Sequence, residues 1–144
     1  MTSMLRLILA LPLITGCLCL FIKKGRVAEF LNLLSVSLCF ILSILLLSDV
    51  ARNTPRYDFD GLIYVDTLGG FFLCLTLLIS LAVSIYSISY MRQAVEKAEI
   101  DRHLSRYYFL LNLFIFTMIM VTTTGNLGIL WISIEATTLV SAFL

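Results

Sequence analysis

A chain of 144 residues has the length of one ordinary domain, but 60% hydrophobic and only 13% charged residues do not suit a soluble one, because soluble domains carry roughly 25% charge. With a mean hydropathy of +1.04 and the apolar residues gathered in blocks, the environment that stabilises the chain is a lipid bilayer. The net charge of +1 hides charges segregated between connectors, and no nucleic-acid signature is present.

Five apolar blocks follow in chain order, at roughly 4–22, 28–50, 68–90, 107–124 and 128–144. In hydrocarbon only helices and closed barrels satisfy their own backbone groups, and uninterrupted apolar blocks of this length exclude barrel strands. The expected fold is therefore all-α: a polytopic transmembrane helix bundle of about five spanning helices, one transmembrane domain over 1–144. In the first block Arg6, an apolar stretch and then Thr15, Gly16 and Cys17 have the form of a lipoprotein signal with its acceptor cysteine. The continuation "LCLFI" into "KKGR" is instead that of a retained span ending at a cytoplasmic face, and the block is read as a span. Pro12 is tolerable there, because partner helices and local adjustments can accommodate the carbonyl that proline leaves without its donor.

Ser35, Cys39 and Ser43 in the second block, and Thr76, Ser80, Ser84 and Ser87 in the third, recur at helical spacing. Small residues on one face let backbones approach, so these are read as seams for neighbouring helices rather than a solute path. The connector 91–106 mixes charges at short range and is expected to include a surface helix. His103, the one histidine, lies there beside Arg102 and Arg106 and is read as solvated. Cys17, Cys19, Cys39 and Cys74 sit inside apolar blocks without C-x-x-C spacing, which makes them small buried apolar residues, neither a disulfide framework nor a metal site.

Lysine and arginine set the orientation. Lys23, Lys24 and Arg26 follow the first span, and Arg92, Lys97, Arg102 and Arg106 follow the third. Arg52 and Arg56 stand among Asp49, Asp58, Asp60 and Asp66 after the second. Basic connectors stay inside, so the first and third are cytoplasmic, the second is external, and the N-terminus lies outside. The expected location is the cell inner (cytoplasmic) membrane, as a multi-pass protein.

The fifth block, "GILWISIEATTLVSAFL", is apolar apart from small hydroxyl residues and Glu135. An ionised carboxylate at the bilayer centre costs on the order of 2.5 to 3.5 kcal/mol on insertion scales, so a helix keeps one only where something compensates. Either the proton stays on, or a nearby cation or aqueous cavity stabilises the charge; a group poised between these states can take up and release protons. Helical periodicity sets Trp131, Ile132, Thr138 and Leu139 one turn either side of Glu135, with Thr138 as a possible hydroxyl donor. A protonated glutamic acid in an interhelical hydrogen bond is the structural alternative.

Two stretches resemble a known family. "YVDTLGGFFLCLTLLISLAVSIYSISYM", 64–91, is similar to the third-helix pattern of the antiporter-like membrane subunits shared by NADH:quinone oxidoreductase (complex I), Mrp cation/proton antiporters and group 4 membrane-bound hydrogenases. "RYYFLLNLFIFTMIMVTTTGNLGILWISIEATTLVSAFL", 106–144, resembles the fourth and fifth helices, with Asn126 and Leu127 in the turn, then Trp131 and the helix-five glutamate at Glu135. "IEATTL" leans towards the hydrogenase-4 component F type. The resemblance implies that Glu135 pairs with a lysine on a later, broken helix, and that changes in this pairing gate proton movement. Family members carry many more spans, so a gene cut short or split, a partial chain, or a fragment completed by another subunit is expected.

The first reading is thus a membrane subunit, in part, of a proton-translocating hydrogenase or complex I type assembly. Its partners would be the bilayer and the other membrane subunits of that assembly. No cofactor is expected, because there is no G-x-G-x-x-G and no cysteine ligand set for nicotinamide, flavin, nickel or an iron–sulfur cluster, and the chain alone would not be an enzyme. The alternatives are an Mrp-type antiporter subunit and a non-transporting membrane scaffold.

Overall fold

The computed structural model describes residues 2–22, 25–52, 56–58, 61–98 and 101–144. Five helices follow one another: α1 (Thr2–Phe21), α2 (Gly25–Arg52), α3 (Thr67–Ala98), α4 (Asp101–Thr123) and α5 (Leu127–Phe143). Each apolar block becomes a helix, and α1 to α4 are long and apolar enough to cross a membrane. α5, at 17 residues, is shorter; at a rise of 1.5 Å per residue it reaches about 25 Å, a little less than a hydrocarbon core.

The helices form an antiparallel series in which α4 is central, packing on α1, α2, α3 and α5. Its inner face carries Tyr108, Leu111, Asn112, Ile115 and Ile119, all buried against Leu5, Ile8, Val36, Cys39, Leu73 and Leu77 of the other helices. The outer faces are covered with exposed Leu, Ile and Phe, such as Ile14, Phe30, Ile41, Ile79 and Ile85. An apolar exterior around a bundle is what lipid, not water, rewards.

Pro12 lies inside α1. A proline has no N–H for the carbonyl four residues earlier, which here is that of Ile8. The Cys39 thiol, brought in from α2, donates to that Ile8 carbonyl at 3.8 Å. A residue of the small-residue seam thus supplies the neighbouring-helix donor that the proline calls for, and α1 continues without a break.

Two features differ from expectation. The connector after α2 holds a short antiparallel hairpin, β1 (Arg56–Asp58) and β2 (Ile63–Val65), with Tyr57 opposite Tyr64. Gly61, at φ +86°, stands just before β2 in a conformation that costs glycine little. The hairpin is tied to the turn between α4 and α5 by the Gly125 N–H and the Thr124 hydroxyl, both donating to the Leu62 carbonyl at 3.0 and 3.1 Å. The second is at the connector 91–106, which was expected to include a surface helix and whose helical residues belong to the two spanning helices. Here α3 extends to Ala98 and α4 starts at Asp101; the run "QAVEKA" consists largely of good helix formers, so nothing stops α3 at the membrane boundary. His103 lies in the first turn of α4, and its side chain, like those of Lys23, Lys24 and Lys97, falls outside the described residues.

Candidate functional site

Helix α5 starts where Asn126, extended at φ −108° and ψ 123°, accepts from the N–H groups of Gly128 and Ile129 at 2.9 and 3.3 Å. This N-cap satisfies two of the donors that a helix end leaves open. Along the helix the hydroxyls turn back on the backbone: Ser133 donates to Ile129 O at 2.7 Å, Thr137 to Ser133 O at 2.8 Å and Ser141 to Thr138 O at 2.8 Å. Such internal bonds let Ser and Thr sit in an apolar helix at low cost.

Ser133 and Val140 are the buried positions of α5 and mark the side that packs on α4. Two residues along a helix turn it by about 200°, so Glu135 stands nearly opposite Ser133. It is exposed, in company with Trp131 at 69%, Ile132 at 62% and Leu139 at 62%. The structure therefore places Trp131, Glu135 and Thr138 on one face, turned away from α4. The Thr138 hydroxyl donates at 2.7 Å to the main-chain carbonyl of Glu135 rather than to its carboxyl group. Leaving a carboxylate on an apolar face in contact with lipid is costly. The chemistry available to it is to exchange a proton or to meet a cation brought by another protein element.

Sequence reasoning read Ser35 as part of a packing seam and passed over the other members of a second set of polar side chains. Glu29, Asn32 and Ser35, at successive turns of α2, are 4%, 1% and 5% exposed, and Asn112 of α4 is fully buried. The Asn112 amide donates to Asn32 Oδ1 and to the Tyr108 carbonyl, both at 2.8 Å. The signal was present in the sequence: an amide in each of two apolar blocks. At the hairpin end, Asp66 accepts from the Gly69 N–H at 2.7 Å and so caps α3. It borders an open cleft of about 500 Å³ with Phe72, Thr76, Met118 and Thr122. Among the described residues no group of His, Cys, Asp and Glu is arranged to hold a metal ion.

Comparison with known proteins finds similarity over part of the chain. The family model of the N-terminus of NADH-ubiquinone oxidoreductase (complex I) chain 5 matches residues 53–108, the hairpin connector, α3 and the beginning of α4. The chain is also 36% identical over 81 residues to NADH-ubiquinone oxidoreductase chain 5 of Paramecium tetraurelia, a stretch that takes in 56% of this chain. It spans only 13% of that relative's length, and Glu135 lies beyond the segment that the family model matches. The chain is thus a multi-helix, membrane-type protein similar, from the hairpin to the start of α4, to the N-terminal part of chain 5 of complex I.

Proposed function

We propose that the chain forms part of a membrane subunit of a proton-translocating oxidoreductase of the complex I type. It would contribute Glu135 as a carboxylate of the proton path, with Trp131 and Thr138 beside it on the same face. The similarity of 53–108 to the N-terminus of chain 5 carries this reading, and the exposed carboxylate on an otherwise apolar helix face supports the role of Glu135. On this reading α5 meets a cation-bearing element of the same assembly, and the carboxylate alternates between charged and neutral as that cation moves. The N-terminus faces outside, the chain lies in a cytoplasmic membrane, and lipid and the other membrane subunits are its partners. The string "IEATTL", 134–139, favours a hydrogenase-type assembly as the second reading. Genes for nickel and iron–sulfur hydrogenase subunits beside this one would decide for it.

The test of the site is the number of protons moved per electron pair in membrane vesicles carrying Glu, Gln or Asp at position 135. Gln keeps the size and hydrogen bonding of the protonated acid but cannot ionise. It should leave assembly intact while coupled translocation falls sharply, and Asp should recover part of the loss. Equal stoichiometry for Glu and Gln returns Glu135 to a packing role.

A further inference from the structure

An open groove of about 350 Å³ lies between α1 and α4 at the hairpin end of the bundle. Its α1 wall is Arg6, Leu9, Ala10 and Leu13, spaced so that they share one helix face, and its α4 wall is Phe116 and Met120, one turn apart. Ile63 of β2 borders it too, and is bridged to Thr124 just past the end of α4. The height of each residue follows from two contacts further along the same pair of helices. The Ser105 hydroxyl donates to the Ile22 carbonyl at 2.7 Å, and a Cβ on Gly16 would stand 3.2 Å from the Asn112 Cβ. Continued from these pairs, the antiparallel register sets Leu13 beside Phe116, Leu9 beside Met120 and Arg6 beside Thr122, in the last turn of α4. Arg6 is exposed and stands where the apolar span of α4 ends, at Thr123.

The groove is thus charged at the membrane boundary and apolar below it. From Arg6 to Leu13 it runs about 10 Å along α1, roughly two thirds of the 15 Å or so of hydrocarbon in one leaflet. Spread over that length, a volume of about 350 Å³ gives a cross-section of roughly 35 Å², less than half of the about 80 Å² of a helix 10 Å across. It has room for a hydrocarbon chain and not for a helix. The arginine fork matches a phosphate bidentately, and its five N–H donors let a phosphate bind beside any contact Arg6 makes within the protein.

We propose that this groove binds an anionic phospholipid, with one acyl chain along Leu9, Ala10, Leu13, Phe116 and Met120 and the phosphate on Arg6. The inference is independent of the role of Glu135 and needs only that the chain spans a bilayer. An acyl chain gains little by leaving lipid for an apolar groove, since both surroundings are equally apolar. Selection among lipids therefore rests on the charge: the phosphate of an anionic lipid meets Arg6 alone, whereas a zwitterionic headgroup brings a cation of its own towards the arginine.

Photo-crosslinking tests this. A diazirine amino acid replaces Leu13, at the end of the groove away from Arg6, and the full chain is placed in vesicles of phosphatidylglycerol and phosphatidylcholine in equal parts. After illumination, mass spectrometry counts the lipid adducts at that position. Phosphatidylglycerol adducts should outnumber phosphatidylcholine adducts by at least about fivefold. Arg6→Gln should bring the ratio close to one, and Arg6→Lys, which keeps the charge without the fork, should give an intermediate ratio. Ala10→Phe fills the groove while keeping Arg6 and should lower the ratio as well. Arg52→Gln removes an exposed arginine at the end of α2, outside the groove, and should leave the ratio unchanged. Circular dichroism confirms that each variant keeps its helices. A ratio near one in the unaltered chain overturns the proposal, as does a ratio that Arg6→Gln or Ala10→Phe leaves unchanged. An equal fall with Arg52→Gln overturns it in favour of general surface charge. In native membranes the adducts should have the mass of a phospholipid; adducts with a protein instead assign the groove to a neighbouring subunit and overturn it.

Discussion

Replacing Asn112 by Ala removes the amide that joins α2 to α4 and leaves Asn32 Oδ1 without its donor in a place where neither residue exceeds 1% exposure. A net hydrogen bond is worth about 1 kcal/mol, and a buried polar atom left alone costs about 1 to 3 kcal/mol. Between helices in lipid the measured coupling is smaller, about 0.6 kcal/mol on average and at most about 1.7, because the unfolded chain in the membrane also finds partners. The pair here is fully enclosed and Asn112 has a second acceptor in the Tyr108 carbonyl, so a coupling of about 1 kcal/mol is expected, above that average and below that maximum. Each single variant, Asn32→Ala and Asn112→Ala, should lose about 1 to 2 kcal/mol, and the double variant should lose less than their sum by the coupling energy. The assay is reversible unfolding in mixed lipid–detergent micelles, followed by loss of helicity across the four proteins of the cycle. Additivity within about 0.3 kcal/mol would show that the two amides do not act together and would refute the reasoning.

Three further outcomes are expected. Gly125→Ala should destabilise by about 1 to 3 kcal/mol, because its Cβ would stand 2.9 Å from the Tyr64 Cβ and 3.1 Å from the Gly61 carbonyl. Gly70→Ala, whose nearest neighbour is the movable Leu47 Cδ1 at 3.3 Å, should cost clearly less in the same unfolding assay. Asn126→Ala removes the acceptor of the first turn of α5 and should cost about 1 kcal/mol, seen as faster amide exchange at Gly128 and Ile129. With the native cysteines replaced, cysteine at Lys24 or Lys97 should be shielded from an impermeant external thiol reagent while cysteine at Asp58 is labelled by it. Labelling of Asp58 from the cytoplasmic side alone would reverse the orientation.

What could be read from the sequence, and what could not, follows from how far each signal reaches along the chain. The helices were legible because a bilayer leaves an apolar run of this length almost no alternative. That Pro12 leaves a carbonyl open was legible too, with partner helices or local adjustments to accommodate it; only the fold shows that the carbonyl of Ile8 is met by Cys39. The hairpin was missed because its strands are three residues each and are held by bonds that the Leu62 carbonyl accepts from the Thr124 hydroxyl and the Gly125 N–H, some sixty positions away. Helix in the charged connector 91–106 was legible, but its continuity with α3 was not, because charge ends a membrane span without ending a helix. Glu135 and the two asparagines make the sharpest contrast. A lone carboxylate in an apolar helix is conspicuous by charge, yet the fold leaves it on an open face of α5. An amide carries no charge and reads as a tolerated defect, yet Asn32 and Asn112 meet at the centre of the bundle. The sequence shows the cost of a polar residue in lipid, and only the packing shows whether the protein meets part of that cost within its own bundle, as the Asn32–Asn112 bond does, or on a face directed at another protein element, as proposed for Glu135.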